Sequence, residues 1–127
     1  MPLLSDTKLM KPNWKALEAE VIASLSQNER EEAIAYIEQR VIPVGEILPW
    51  AGIQRSFDES VVIAFVDLEP ALNWTHCGRY LVLGLEGGIF QKIDVDRPPF
   101  LTHVSPHLRV IYRGSQAPEW AVATSPK

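Results

Sequence analysis

The stretch that decides the fold is Val61-Val62-Ile63-Ala64-Phe65-Val66. This continuous apolar run is rich in β-branched residues, and such runs are typical of a strand that is covered on both faces or lies at the centre of a sheet. It is the longest apolar run of the chain and is far shorter than the roughly 20 residues that cross a bilayer. The run therefore predicts a buried central strand and argues against a membrane protein.

Further strands are predicted on the carboxyl side of this run, at 79–85, 89–95 and 108–113. The first two flank Glu86-Gly87-Gly88, whose glycines can adopt the positive φ angles of a hairpin turn. Residues 89–95 alternate between inward and outward positions, with Phe90 as an apolar exception on the outer side. The pattern predicts a mostly antiparallel sheet of about four strands with a half-solvated face.

A first helix is predicted over 14–25, on the amino side of the central strand. Asn13 can cap it, because an asparagine side chain accepts hydrogen bonds from the free N–H groups of a first turn. Apolar residues then recur at three- and four-residue steps along one face. They are Trp14, Leu17, Val21 and Leu25.

A second helix is predicted to follow after a short link. Ser26 and Glu29 have the spacing of a capping box, as do Asn28 and Glu31. The apolar stripe of this helix is Ile34, Ile37 and Val41, and Pro43 ends it. The short link predicts an N-terminal helical hairpin packed on the sheet, which is an α+β fold.

The length of 127 residues fits one domain and is too short for two independent cores. We expect a flexible arm over 1–12, a single α+β domain over 13–113 and a flexible tail over 114–127. The connection 44–53 carries two glycines and a proline, and we expect it to bury Trp50. Trp120 lies alone in the tail and needs an apolar surface, either on the domain itself or on a partner.

The formal net charge of −4 disfavours binding to nucleic acid, which needs clustered lysine and arginine. Charge is unevenly distributed, with eight acids and three bases between Ile42 and Asp96 and four bases and one acid from Arg97 onward. An acidic middle can face a basic partner or simply be solvated. Cys77 is the only cysteine and no secretory signal is visible, so we expect a reducing, cytoplasmic location.

The segment 67–80 has the densest set of residues that can carry chemistry, in a connection next to the central strand. We predict that His76 and Cys77 are catalytic candidates and that Asp67, Glu69, Trp74 and Arg79 are binding candidates. The alternative is structural: the acids form turns, the tryptophan fills the core and the arginine pairs with a carboxylate.

Two chemistries are considered for this segment. A cysteine nucleophile needs a nearby histidine, but His76 and Cys77 are sequence neighbours and would point to opposite faces of a strand, so His103 or His107 is a better partner. Metal binding by these histidines with Cys77 is disfavoured by Pro106, which interrupts a helix there.

Paired acids at Asp94 and Asp96 are more consistent with a solvated sheet than with a metal site. Glu86-Gly87-Gly88 lacks the longer glycine pattern and the following helix of a phosphate-binding loop. We therefore predict no metal and no cofactor.

The function that the sequence favours is non-catalytic binding of a protein or peptide, as in immunity proteins, adaptors and assembly factors. Four tryptophans support this hypothesis, because exposed tryptophan anchors interfaces. The alternative is a small enzyme that uses Cys77 with His76, or acid–base chemistry in the 67–80 loop. The sequence leaves the partner, the pathway and the oligomeric state open.

Overall fold

Residues 61–67 form the middle strand of a five-stranded antiparallel sheet in the computed structural model, which describes residues 11–48, 55–72, 77–97 and 105–123. The helices and strands are, in chain order, α1 (Trp14–Ala23), α2 (Gln27–Glu32), β1 (Ile34–Glu38), β2 (Val61–Asp67), β3 (Gly78–Gly84), β4 (Ile89–Val95) and β5 (Leu108–Arg113). Their order across the sheet is β4-β3-β2-β1-β5. The α+β class is confirmed, and every residue of β2 is buried, as its apolar run predicts.

Helix α1 lies close to its predicted bounds. The Asn13 side chain accepts a hydrogen bond from the backbone N–H of Ala16 at 3.2 Å and so caps the first turn. Leu17 and Val21 are buried against the sheet, and Leu25 extends the same apolar contact beyond the helix. The predicted periodicity therefore identifies the face that packs.

A strand replaces most of the predicted second helix. Helix α2 is short and polar, and it opens with the predicted capping box, in which Ser26 and Glu29 bond reciprocally at 2.9 and 3.2 Å. All five residues of β1 then are buried. The predicted helical stripe at Ile34, Ile37 and Val41 is wrong because both faces of this segment are covered, so alternate residues pack on opposite sides of the sheet. The helical hairpin is corrected to two short helices before β1, and the sheet gains a strand.

The β3–β4 hairpin matches its prediction to within one residue at each end. Gly87 and Gly88 have φ angles of 108° and 91°, in the region that glycine tolerates best. The carboxylate of Glu20 in α1 accepts hydrogen bonds from the Gly88 N–H at 2.8 and 3.0 Å, which fixes the turn against the helix. The pairing register shifts at Phe90, and the alternation along β4 places this ring on the exposed side, as predicted.

The two faces of the sheet are covered by different parts of the chain. Helix α1 packs on the first, which we call the helix face. The second, the loop face, contains Tyr36, Phe65 and Tyr80, with ring centroids 6.4 and 5.2 Å apart in that order. Buried residues of the connections complete its core, namely Ile42, Leu48, Phe57 and Ala117. The connections are therefore part of the folded core.

The chain after β5 returns to the start of β1. The backbone N–H groups of Gly114 and Gln116 donate to the carbonyl groups of Ala33 and Glu31, each at 2.8 Å. The domain bounds remain a prediction. Residues 114–123 are predicted to belong to a flexible tail, but they make these and further contacts with the domain.

Candidate functional site

The loop between β2 and β3 carries most of the predicted site residues. Asp67 is 2% exposed, and its Oδ1 accepts a hydrogen bond from the Glu69 N–H at 3.2 Å. Glu69 Oε1 in turn accepts from the Cys77 N–H at 2.7 Å, while the Leu68 N–H donates to the Cys77 carbonyl at 3.1 Å. These bonds join the two ends of the loop, so both carboxylates have a structural role there.

The Cys77 thiol is exposed, and its surroundings favour the protonated form. A hydrogen bond and the negative charge of Glu69 raise the pKa of the Cys77 thiol, and Asp94 and Asp96 add to the increase. A cysteine nucleophile needs a lowered pKa, usually from a positive neighbour. The described surroundings therefore disfavour Cys77 as a nucleophile. Two predicted site residues, Trp74 and His76, lie outside the described part of the chain, as does His103, which was considered as a partner of Cys77.

Arg79 links β3 to two other elements. Its Nε lies 3.2 Å from Asp94 Oδ1 on β4, and its Nη1 lies 3.3 Å from Glu29 Oε2 on α2. Both partners are anionic, so the guanidinium charge is used within the domain. Arg79 therefore links α2 to the sheet through these two ion pairs, and its predicted role in binding stays a prediction.

The two acids at the end of β4 that were considered for metal binding form ion pairs with arginines. Asp96 pairs with Arg97 at 3.3 Å, and Asp94 pairs with Arg79. His107 is exposed, and its backbone N–H donates to Ser105 Oγ at 3.2 Å. Within ranges 11–48, 55–72, 77–97 and 105–123, no three histidine, cysteine, aspartate or glutamate side chains form a group that could hold a metal ion.

An open groove of about 370 Å³ lies between the loop after β2 and the segment after β5. We call it the tail groove, and its lining residues are Glu32, Leu68, Glu69, Pro70, Ala71, Leu72, Gln116 and Pro118. Leu72 is 53% exposed. The groove joins part of the predicted 67–80 site to residues more than 40 positions away in sequence, so local sequence patterns do not indicate it.

Trp120 is 75% exposed although the segment that carries it is packed. It lies in the 3-10 helix Glu119–Ala121, directly after Pro118 and Glu119, and Pro118 lines the tail groove. Beyond it, the Ala123 N–H donates to Tyr36 Oη at 2.9 Å. The backbone is thus held on both sides of Trp120, while the described part of the domain leaves most of the indole ring in solvent.

A buried carboxylate at the end of β1 is a feature that sequence reasoning missed. Glu38 is 1% exposed, and its Oε2 lies 3.3 Å from Arg40 Nε and accepts from Ser105 Oγ at 2.8 Å. Arg40 also donates to both oxygens of Glu46, at 3.1 and 2.5 Å, and these bonds lower the pKa of Glu46. The cluster braces the connection that follows β1. Its contact with Ser105 is long-range, so no local pattern indicates it.

Comparisons with known proteins identify no relative of this chain. The chain matches no protein-family model, and no curated protein or solved structure with which it was compared is significantly similar to it. Neither of the described helices is long and apolar enough to cross a membrane.

Proposed function

We propose that this protein is a non-catalytic binding module that recognises a segment of another protein at the tail groove and Trp120. The observation that carries the proposal is the 75% exposure of Trp120 on a backbone that is held on both sides. Tryptophan combines a large apolar ring with one N–H donor, and it is enriched among the residues that dominate binding energy. An exposed ring on a packed segment is therefore suited to anchor a partner.

The lining of the tail groove supports the same proposal. Leu68, Pro70, Leu72 and Pro118 supply apolar surface, and the polar groups are two carboxylates and one amide. This composition suits a mainly apolar segment with a few hydrogen-bond donors. Because the groove is walled by a tied loop and a packed segment, little conformational entropy is lost when a partner binds.

The small-enzyme alternative has less support. Asp67 is buried and bonded within the loop, Arg79 is ion-paired, and the pKa of the Cys77 thiol is raised. An enzyme needs its reactive side chains to converge on one cavity. Among the described candidates of the 67–80 segment, Glu69 alone lines the tail groove.

The proposal is tested by capture of partners from an extract of the producing cells. The bait proteins are the tagged wild type, Trp120→Ala and Ile47→Ala, followed by mass spectrometry of the bound proteins. Ile47 is the matched control because it is also a large exposed apolar residue, at 67%, and does not line the tail groove. We expect a stoichiometric partner on the wild type and on Ile47→Ala, and its loss on Trp120→Ala.

Two results would contradict the proposal. The first is equal capture by Trp120→Ala and the wild type, which would place recognition elsewhere. The second is the absence of a reproducible partner in the presence of a turnover activity that depends on the 67–80 segment.

A further inference from the structure

A second and larger groove lies at the opposite end of β2. Its volume is about 700 Å³, and we call it the hairpin groove because the β3–β4 turn forms one wall. The lining residues are Val41, Val44, Asp58, Glu59, Ser60, Gly84, Leu85, Glu86 and Gly87. Since β2 has seven residues, the two grooves are roughly 20 Å apart along the strand.

The apolar wall of the hairpin groove is held in an exposed position. Val44 is 59% exposed and lies in the turn after β1. Ile42 pairs with Val61 through two backbone hydrogen bonds, of 2.8 and 3.0 Å, and the Gly45 N–H donates to the Phe57 carbonyl at 3.2 Å. The backbone on both sides of Val44 is therefore fixed, and its side chain is presented to solvent.

The opposite wall is fixed as well. The Gly84 N–H donates to the Gly88 carbonyl, and the Gly87 N–H to the Gly84 carbonyl, both at 3.1 Å. The carboxylate of Glu20 in α1 accepts hydrogen bonds from the Gly88 N–H. A ligand can enter a groove of this kind without first ordering its walls, which lowers the cost of binding.

The charge of the hairpin groove has one sign. Asp58, Glu59 and Glu86 line it, and no basic residue is among its described lining. None of the three forms an ion pair with a residue that the structure describes, whereas nearby Glu46 is held by Arg40. Carboxylates that share one concave surface attract a cation to it.

We propose that the hairpin groove binds a protein segment in which lysine or arginine side chains flank aliphatic residues. The aliphatic side chains would pack on Val41, Val44 and Leu85, and the cations would lie beside the three carboxylates. Lysine and arginine suit both surfaces, because their stems pack on apolar groups while their heads reach the charges. This surface is separate from the tail groove, so the inference does not depend on Trp120.

The test is an NMR titration of the isotope-labelled full chain with a short synthetic peptide of alternating lysine and leucine, blocked at both ends. Two matched peptides carry glutamate in place of lysine, or serine in place of leucine. We expect the first peptide to shift the backbone amides of Val44, Ser60 and Gly87, and we expect the matched peptides to bind at least about tenfold more weakly.

Variants of the protein distinguish binding in the hairpin groove from nonspecific electrostatic attraction of the peptide to an acidic chain. Val44→Ser and Glu86→Gln should each weaken binding about threefold to fivefold. The controls Ile47→Ser and Glu119→Gln change an exposed apolar residue and an exposed acid outside the groove, and they should bind like the wild type.

The proposal is overturned if the lysine–leucine peptide leaves the groove amides unshifted, or if Val44→Ser and Ile47→Ser lose affinity equally. It is also overturned if the same amides shift on concentrating the protein alone, because a second copy of the chain would then fill the groove. None of these outcomes bears on capture through Trp120, which is measured separately.

Discussion

The two grooves at opposite ends of β2 use their polar groups differently. At the tail groove, Glu69 is already bonded to the Cys77 N–H, and Trp120, two residues after the lining residue Pro118, is 75% exposed. At the hairpin groove, three carboxylates have no ion pair within the described residues. In the two proposals, the apolar ring at one end contributes to affinity, and the carboxylates at the other end speed the encounter with a basic partner in a way that weakens as salt is added.

The comparison shows that both grooves of this small domain are lined largely by its connections. Helix α1 covers the helix face with aliphatic contacts. The loop face instead is completed by the segments before β2 and after β5, which also supply walls of both grooves. Changes that loosen these segments should therefore affect one groove at a time.

The largest effect is expected from Gly114→Ala, which should disrupt the packing of the segment after β5 against the chain before β1. A Cβ atom at this position would lie 2.4 Å from the Glu31 carbonyl oxygen and 2.8 Å from that of Arg30. Both are backbone atoms, so relieving the steric overlap would require a shift of the main chain. We expect the free energy of unfolding in urea to fall by about 2 kcal/mol.

The neighbouring Ser115→Ala is the control for this variant. Ser115 is exposed, so its replacement should change the free energy of unfolding by less than about 0.5 kcal/mol. Equal stability of Gly114→Ala and Ser115→Ala would show that the segment after β5 is not packed as described.

A smaller effect is expected from Tyr36→Phe, which removes the acceptor of the Ala123 N–H. The loss of this hydrogen bond should lower the free energy of unfolding by about 1 kcal/mol and speed hydrogen exchange at Ala123. Tyr112→Phe is the matched control, because that hydroxyl donates to the Arg30 carbonyl instead. Unchanged exchange at Ala123 in Tyr36→Phe would contradict a backbone that is held after Trp120.

At the hairpin end, Glu46→Gln should give a pH-dependent loss of stability. Hydrogen bonds from Arg40 lower the pKa of Glu46 in the folded state, so their stabilisation is complete above the unfolded pKa and is lost as pH falls through the folded value. The side chains of Arg40 and Glu46 are each about one-third exposed, so we expect Glu46→Gln to lower the free energy of unfolding by only about 0.5 kcal/mol at neutral pH.

Urea denaturation over a pH series measures this difference. The deficit of Glu46→Gln relative to the wild type should shrink as the pH falls through the lowered pKa of Glu46, because the wild-type carboxyl group then also becomes neutral. A deficit that is constant across the series would mean that the charge of Glu46 does not brace the turn that carries Val44.

The smallest expected effect on the fold comes from Glu69→Gln, which changes the chemistry of Cys77. Because Glu69 raises the pKa of the Cys77 thiol, its neutralisation should increase the thiolate fraction and speed alkylation by iodoacetamide at mildly alkaline pH. Cys77 is the only cysteine, so the rate reports on one site. Glu32→Gln, in the same groove, is the control and should leave the rate unchanged.

Local sequence patterns predict those elements whose structure is set by neighbours in sequence. Four such patterns each indicate one element correctly. They are the apolar run 61–66, the glycines at 87 and 88, and the helix caps at Asn13 and Ser26. Segment 33–41 is predicted as a helix, and that prediction is wrong because Ile34–Glu38 is a strand buried on both faces. Pairing with β2 and β5 selects the strand, and that pairing is long-range.

The candidate site was less predictable, because it depends on which distant segments meet. Trp120 could be singled out as a tryptophan that needs an apolar surface, but its exposure follows from the path of the chain after β5. Arg79 and Asp67 have the residue types of a site, yet their charges are used within the domain or buried in it. Neither groove is lined by one continuous segment.

The most direct test of the central claim is the affinity of the captured partner for the wild type, Trp120→Ala and Ile47→Ala, measured by titration calorimetry on folded proteins. If Trp120 anchors the partner, Trp120→Ala should bind at least about 30-fold more weakly, and Ile47→Ala should bind within about twofold of the wild type. An affinity of Trp120→Ala within about twofold of the wild type would contradict the account.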